Sequence, residues 1–176
     1  MTKFNIEPVD EEITLDHEDI IVSKTDLKGR ITYVNDTFCK IAEMREREVL
    51  GEQHSIIRHP DMPRSVFQLL WETIQYKREI FAYVKNISKT GKYYWVIAHV
   101  TPTLDRDGNI VAYHSNRRGV SASEVTKVDK LYKEICAVER QYPNRKEGML
   151  AGSKYLVEQA ANNATSYDEF IWSVGA

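Results

Sequence analysis

The chain has 176 residues, 42% of them hydrophobic and including ten Tyr, five Phe and three Trp, enough for one packed domain or a domain with an appendage. A formal charge of −2 argues against the basic field that nucleic acid or an anionic lipid surface would need, and no apolar run approaches the ~20 residues that span a bilayer. Cys39 and Cys136 form neither a CxxC nor a metal spacing, which fits ordinary reduced thiols in the cytoplasm, and the acidic opening "MTKFNIEPVDEEITLD" is no signal peptide.

Residues 1–18 are polar and irregular, broken by Pro8, and read as a flexible arm or cap. "DIIVSKTD", the turn "DLKGR" around Gly29 and the alternating "RITYVN" then predict a hairpin, with Ile31, Tyr33 and Asn35 on one side and Thr32 and Val34 on the other. In "NDTFCKIAEM", Asn35 or Asp36 is placed to cap a short helix that turns Phe38 and Ile41 or Ala42 inward. "REREVLGEQ" adds another helical turn, ended by Gly51.

"SIIRHPDMPRSVFQLLW" packs directional groups unusually close together. Asp61 reads as an N-cap and Pro63 as a first-turn residue, and the helix that follows carries a stripe of Phe67, Leu70, Trp71 and Ile74. Three strands follow: "EIFAYVKNIS", "GKYYWVIAHVTPTL" and "NIVAYHSNRRGV", separated by the glycine turns "KTGK" and "DRDGN". The order predicts an α+β fold with one antiparallel sheet and helices on one face. Beyond Gly119, Val128, Leu131, Ile135, Val138 and Tyr142 predict an amphipathic helix over about 123–142, stopped by Pro143. Gly148 and Gly152 read as loosening the chain ahead of two shorter helices, 153–163 and 167–174, the second opened by a Ser166-x-x-Glu169 capping box.

The segments "TDLKGRITYVNDTFCKIA" and "KNISKTGKYYWVIAHVTPTLDRDGNIVAYHSNRRGV" resemble a PAS domain across residues 19–120. "GEQHSIIRHPDMP", followed by Phe67 and Trp71 and joined to "VNDTF" and "VKN", is similar to the FAD-binding PAS domains of bacterial aerotaxis and energy-taxis receptors. The resemblance implies a five-stranded antiparallel sheet with short helices on one face. It implies a PAS sensor domain over 19–120, an arm or cap over 1–18 and a C-terminal helical extension over 121–176. It also implies FAD as the cofactor, with Arg58, His59, Asp61 and Trp71 serving it and Asn35 and Asn86 meeting the ring's polar edge.

Such a chain is expected to act as a stand-alone PAS subunit or an excised piece of a receptor, without enzymatic activity. It would signal redox state by contact to a membrane-bound chemotaxis-type receptor, from the cytoplasm, with a homodimer as an open alternative to the single chain. Blue-light relatives carry a reactive cysteine in an Asn-Cys-Arg-Phe segment; here that stretch reads "SIIRHPD", so adduct photochemistry is not expected.

The residue chemistry suits the implied cofactor. Arg58 offers a planar charged fork, His59 a donor from either nitrogen, Asp61 an acceptor, and Trp71 a stacking surface. An Asn amide supplies donor and acceptor together. Beside a ring nitrogen that turns from acceptor to donor on reduction it must turn or lose a bond worth roughly 1–3 kcal/mol. Each residue also has a structural reading: Trp71 in a core stripe, Asp61 as a cap, Asn35 and Asn86 as turn or edge residues, Arg58 in a surface ion pair with Glu52 or Asp61. Their joint appearance favours the flavin site. His54, His99 and His114 keep a haem-binding PAS gas sensor as the leading alternative, with a cofactor-free interaction module behind it. No nucleophile–base pair or glycine-rich phosphate loop points to an enzyme.

Overall fold

The computed structural model describes residues 5–163 and 166–175. Five strands, β1 (Ile21–Thr25), β2 (Ile31–Val34), β3 (Ile80–Ile87), β4 (Tyr93–Leu104) and β5 (Ile110–Gly119), form one antiparallel sheet in the order β2-β1-β5-β4-β3. Between β2 and β3 lie α1 (Asp36–Ala42), α2 (Glu46–Val49), a 3-10 turn (His54–Ile57) and α3 (Arg64–Gln75). The expected α+β sheet with short helices is therefore the fold of the chain. The hairpin joining β1 to β2 turns on Asp26, whose Oδ1 accepts from the N–H groups of Lys28 and Arg30 while Gly29 takes the left-handed φ of 76°. The burial of β2 departs from strict alternation: Ile31 and Val34 are inside, while Thr32 and Tyr33 are out. Its pairing with β1 shifts register at Lys24–Thr25, which breaks the period of two.

Alternation along β3, β4 and β5 gives the sheet two different faces. Val84, Asn86, Ala98, Val100, Tyr113, Ser115 and Arg117 face a cavity closed by α3 and the 3-10 turn. Beyond the sheet, α4 (Ala122–Arg140), α5 (Arg145–Asn163) and α6 (Tyr167–Val174) wrap around the β3 edge. Tyr132 of α4 donates to the Tyr83 carbonyl at 2.7 Å and lies 6.0 Å from the Trp95 ring, and α5 reaches α3. The amphipathic helix past Gly119 thus packs back on the domain.

Two expectations are corrected, and the described part of the arm is seen to be packed. Helix α5 starts at Arg145, and Gly148 and Gly152 lie inside it; a Cβ at Gly152 would stand 2.8 Å from Glu139 Cγ, so these glycines permit close approach of α4 rather than loosening the chain. The arm is held where it is described. Val9 donates to the Gly91 carbonyl in the turn ahead of β4, while Ile13 donates to the Tyr93 carbonyl and Tyr93 to the Glu11 carbonyl, at the start of β4 beyond its last partner in β5. Those β4 groups would otherwise lack partners. Second, Asp61 does not cap α3: the N-cap position is Pro63, and the Asp61 carboxylate lies 2.9 Å from Lys85 Nζ instead. Ser166 does cap α6, accepting from the Glu169 N–H.

Candidate functional site: a donor-lined cavity beneath the sheet

The cavity has a volume of about 270 Å³. That is close to the lower end for small-molecule pockets (~300–1,000 Å³), and it suits a flat ring system better than a whole dinucleotide. Phe67, Leu70, Trp71 and Ile74 form one wall, because their spacing puts them on a single side of α3. Trp71 is wedged by the β1–β2 turn: a Cβ at Gly29 would come within 3.2 Å of its ring. Tyr113 meets the Trp71 ring edge-on, with centroids 5.5 Å apart.

The polar groups are unusual in being unanswered. Arg117 is 2% exposed. Its Nη2 donates to Ser23 Oγ, while Nε and Nη1 have no partner among the described residues. Ser23 Oγ, which accepts from Arg117, also lies within hydrogen-bond distance of His54 Nε2, at 2.9 Å. Burial, then the charges of Arg117 and Arg58, push His54 down to about 3, so it is neutral. Burial also lowers both guanidiniums to about 10, still fully protonated near neutrality.

Arg58 caps the 3-10 turn and lays its guanidinium 3.5 Å from the Phe67 ring centroid, with Nε buried and unpartnered. It bridges across to Asn86, whose Nδ2 is likewise buried without a partner. Thr25 Oγ1 is a fifth such atom in the wall. No carboxylate lines the cavity among the described residues. Arg58, Asn86 and Arg117 therefore line the cavity with N–H-bearing side chains, two of them charged, a lining suited to a ligand that supplies acceptors.

Of the six residues singled out from the sequence, the structure brings Arg58, Trp71 and Asn86 to this cavity. His59 and Asp61 lie beside it, on the β3 edge. The His59 N–H donates to the Lys85 carbonyl, the Met62 sulfur accepts from the Lys85 N–H, and Asp61 pairs with the Lys85 side chain. His59 Nδ1 accepts from the Asp61 N–H at 3.1 Å, and burial, with Lys85 nearby, lowers its pKa. Asn35 stands outside the cavity. Its Oδ1 accepts from Phe38 and Val22, each at 3.0 Å, and its Nδ2 donates to the Ile20 carbonyl, so the amide ties α1 to β1.

Arg117, Ser23 and His54 were not assigned to the cavity by sequence reasoning. A signal was present: Tyr113, Ser115 and Arg117 recur with period two on one face of β5, which puts a charge among inward positions. His99 is paired with Glu79 at 2.6 Å, and His114 with Asn116 at 3.1 Å. Cys39 and Cys136 lie outside the cavity wall, with burial raising both thiols, Cys136 to about 11. Among the described residues no group of His, Cys, Asp and Glu is arranged to hold a metal ion, and no helix is long and apolar enough to cross a membrane.

Residues 31–117 match the family model described as PAS fold. The chain is 38% identical over 117 residues to the aerotaxis receptor of Escherichia coli K12, a match covering 66% of this chain and 23% of that protein. It is 26% identical over 104 residues to the nitrogen fixation regulatory protein of Klebsiella pneumoniae, covering 59% of this chain and 21% of the other. The chain thus spans less than a quarter of either relative. Among solved structures, a light-oxygen-voltage domain studied with a flavin analogue superposes with a TM-score of 0.58 at 18% identity, covering 65% of this chain and 87% of that one. The blue-light photoreceptor Aureochrome1 LOV gives 0.57 at 19%, over 67% and 91%.

Proposed function

We propose, from the premise that this chain has a PAS fold closed over a donor-lined cavity, that it is a redox sensor holding FAD non-covalently and reporting its state by contact to a membrane-bound chemotaxis-type receptor. It would act from the cytoplasmic side and carry no catalytic activity of its own. One observation carries the reading: Arg58, Asn86 and Arg117, each with a buried side-chain N–H that has no partner among the described residues, line a cavity without a carboxylate. The polar edge of a flavin presents carbonyl oxygens and ring nitrogens that accept such bonds, and Trp71, Phe67 and Tyr113 offer flat apolar surface. The relative named for aerotaxis, and the light-oxygen-voltage domain studied with a flavin analogue, support the same choice.

When bound, the flavin would supply one- and two-electron redox chemistry. The chain's residues divide the remaining work. Arg117 fixes a positive charge in the interior, and Arg58, only half-buried, is placed to reach toward a phosphate or carbonyl. Guanidiniums only donate, whereas an amide carries both a donor and an acceptor. Of these three, Asn86 is therefore the one able to re-pair with a ligand atom that exchanges one role for the other, and it sits on the edge strand β3, bridged to Arg58 of the RHPDMP block.

The test is the absorption spectrum of the purified chain, with chromatographic identification of the compound it releases. FAD and a two-banded flavin spectrum are the expected result. A single intense Soret band would select haem, and a colourless protein that takes up no added FAD would end the proposal.

A further inference from the structure

Helix α3 walls the cavity, yet its own start offers no cap: Pro63 stands at the N-cap and makes no side-chain bond. The missing acceptor comes from α4, about 75 residues later. Glu139, 4% exposed, accepts through Oε2 from the Arg64 N–H at 3.2 Å and Arg64 Nε at 3.1 Å. Its Oε1 accepts from the Ser65 N–H at 2.9 Å and Ser65 Oγ at 2.8 Å. A carboxylate at this end also meets the positive pole of the helix. One turn earlier on α4, Cys136 Sγ donates to the Asp61 carbonyl at 3.3 Å, so the same helix face grips the loop that leads from Arg58 into α3. From the other side α5 closes on Glu139: a Cβ at Gly148 would run into its backbone carbonyl, and one at Gly152 would stand 2.9 Å from its carboxylate Oε1.

The geometry points to Glu139 as a positioning residue for the cavity, acting through α3, with the C-terminal helices forming part of the ligand site's frame. The inference rests on the reading of the cavity as a flavin site and adds how that site is coupled to the rest of the chain. Without the clasp, the Arg64 and Ser65 N–H groups lose their acceptors and the first turn of α3 frays. Phe67 and Trp71 follow within two turns, so the binding-competent wall is populated for less of the time and apparent affinity falls in proportion. By reciprocity, a ligand that orders α3 tightens the seating of α4 and α5. The path from cavity to C-terminal helices thus runs around the β3 edge, through α3.

The experiment uses the full chain with Glu139→Gln, Glu139→Ala and Gly152→Ala, read by amide hydrogen exchange without ligand and by FAD titration. Exchange through the first two turns of α3 rises about tenfold in the Gln variant and further in the Ala variant, and FAD affinity falls by about the same factor. In the wild type, FAD slows exchange in α4 and α5. A folded Glu139→Gln protein with lowered melting temperature but unchanged α3 exchange and FAD affinity would reduce Glu139 to a tie for the appendage and overturn the inference. If the wild type binds no FAD, the flavin reading fails separately, and the clasp stands or falls on α3 exchange alone. Should the Ala variant not fold, the Gln and Gly152→Ala variants carry the test.

Discussion

Two buried polar regions of this molecule are built on opposite principles. Behind β3, where α4–α6 pack, polar groups answer one another: Glu139 takes four hydrogen bonds, Tyr132 donates to Tyr83, and Tyr83 donates to Glu124 at 2.9 Å. Beneath the sheet they do not. Every buried side-chain atom without a partner among the described residues belongs to Thr25, Arg58, Asn86, Tyr94 or Arg117, and all but Tyr94 line the cavity. A buried unpaired polar group costs about 1–3 kcal/mol, and a charged one more. One chain that satisfies its buried groups in one place and leaves them open in another is built there for something it does not itself supply.

The sharpest way to break that contrast is Arg117→Met, which keeps bulk and removes the charge. FAD affinity is expected to fall by on the order of 2–5 kcal/mol, the cost of losing one partner of a buried charge-assisted contact. The melting temperature without ligand should hold or rise, because an unpaired buried charge is itself unfavourable. Titration with FAD and thermal melts with and without it measure both. A large loss of ligand-free stability with affinity untouched would make Arg117 a structural residue and erase the contrast. Asn86→Ala is the smaller version. Its Nδ2 gives nothing to the ligand-free fold, so the expected loss is roughly 1–3 kcal/mol of affinity with little change in melting temperature.

How much of this was legible follows from what local patterns encode. The strands, the glycine turns and the helix carrying Trp71 were readable because alternation and three-four spacing are properties of neighbouring residues. Asn35 was readable as the cap it is, since capping is local; its placement at the ring edge came from the resemblance, and the structure puts it on α1 and β1 instead. Asp61 was misread as a cap because the competing partner, Lys85, lies 24 positions away across the β3 edge. Glu139 was invisible for the same reason, 75 positions from the N–H groups it caps. Gly148 and Gly152 looked like breakers because only a neighbouring helix makes their lack of a Cβ useful.

Acidification sharpens the contrast from another side. His54 is held at about 3 by burial and two guanidiniums, and His59 is lowered by burial and Lys85. In the unfolded chain both titrate near 6.5, so below that pH the unfolded state binds more protons. Stability contributed by keeping them neutral is present above pH ~6.5 and is lost as pH falls toward the folded values, at up to about 1.4 kcal/mol per pH unit for each group. His54→Gln should flatten the slope of ligand-free stability between pH 6.5 and 5 by up to one proton's worth. An unchanged slope in denaturant melts would mean that His54 is protonated in the folded protein and that the cavity tolerates a third positive charge.

The smallest expected effect separates the cavity from its surroundings. Asn35 joins three backbone groups, the N–H groups of Val22 and Phe38 and the carbonyl of Ile20, so Asn35→Ala removes a helix cap and a strand tie together. A stability loss of about 1–2 kcal/mol is expected from the cap. FAD affinity in the folded variant should not change, because the amide lies outside the cavity wall. If affinity instead fell as far as in Asn86→Ala, Asn35 would have to leave its cap when ligand enters. The division between a self-satisfied frame and an open cavity would then fail at α1, where the frame would be exchanging its own bonds for the ligand's.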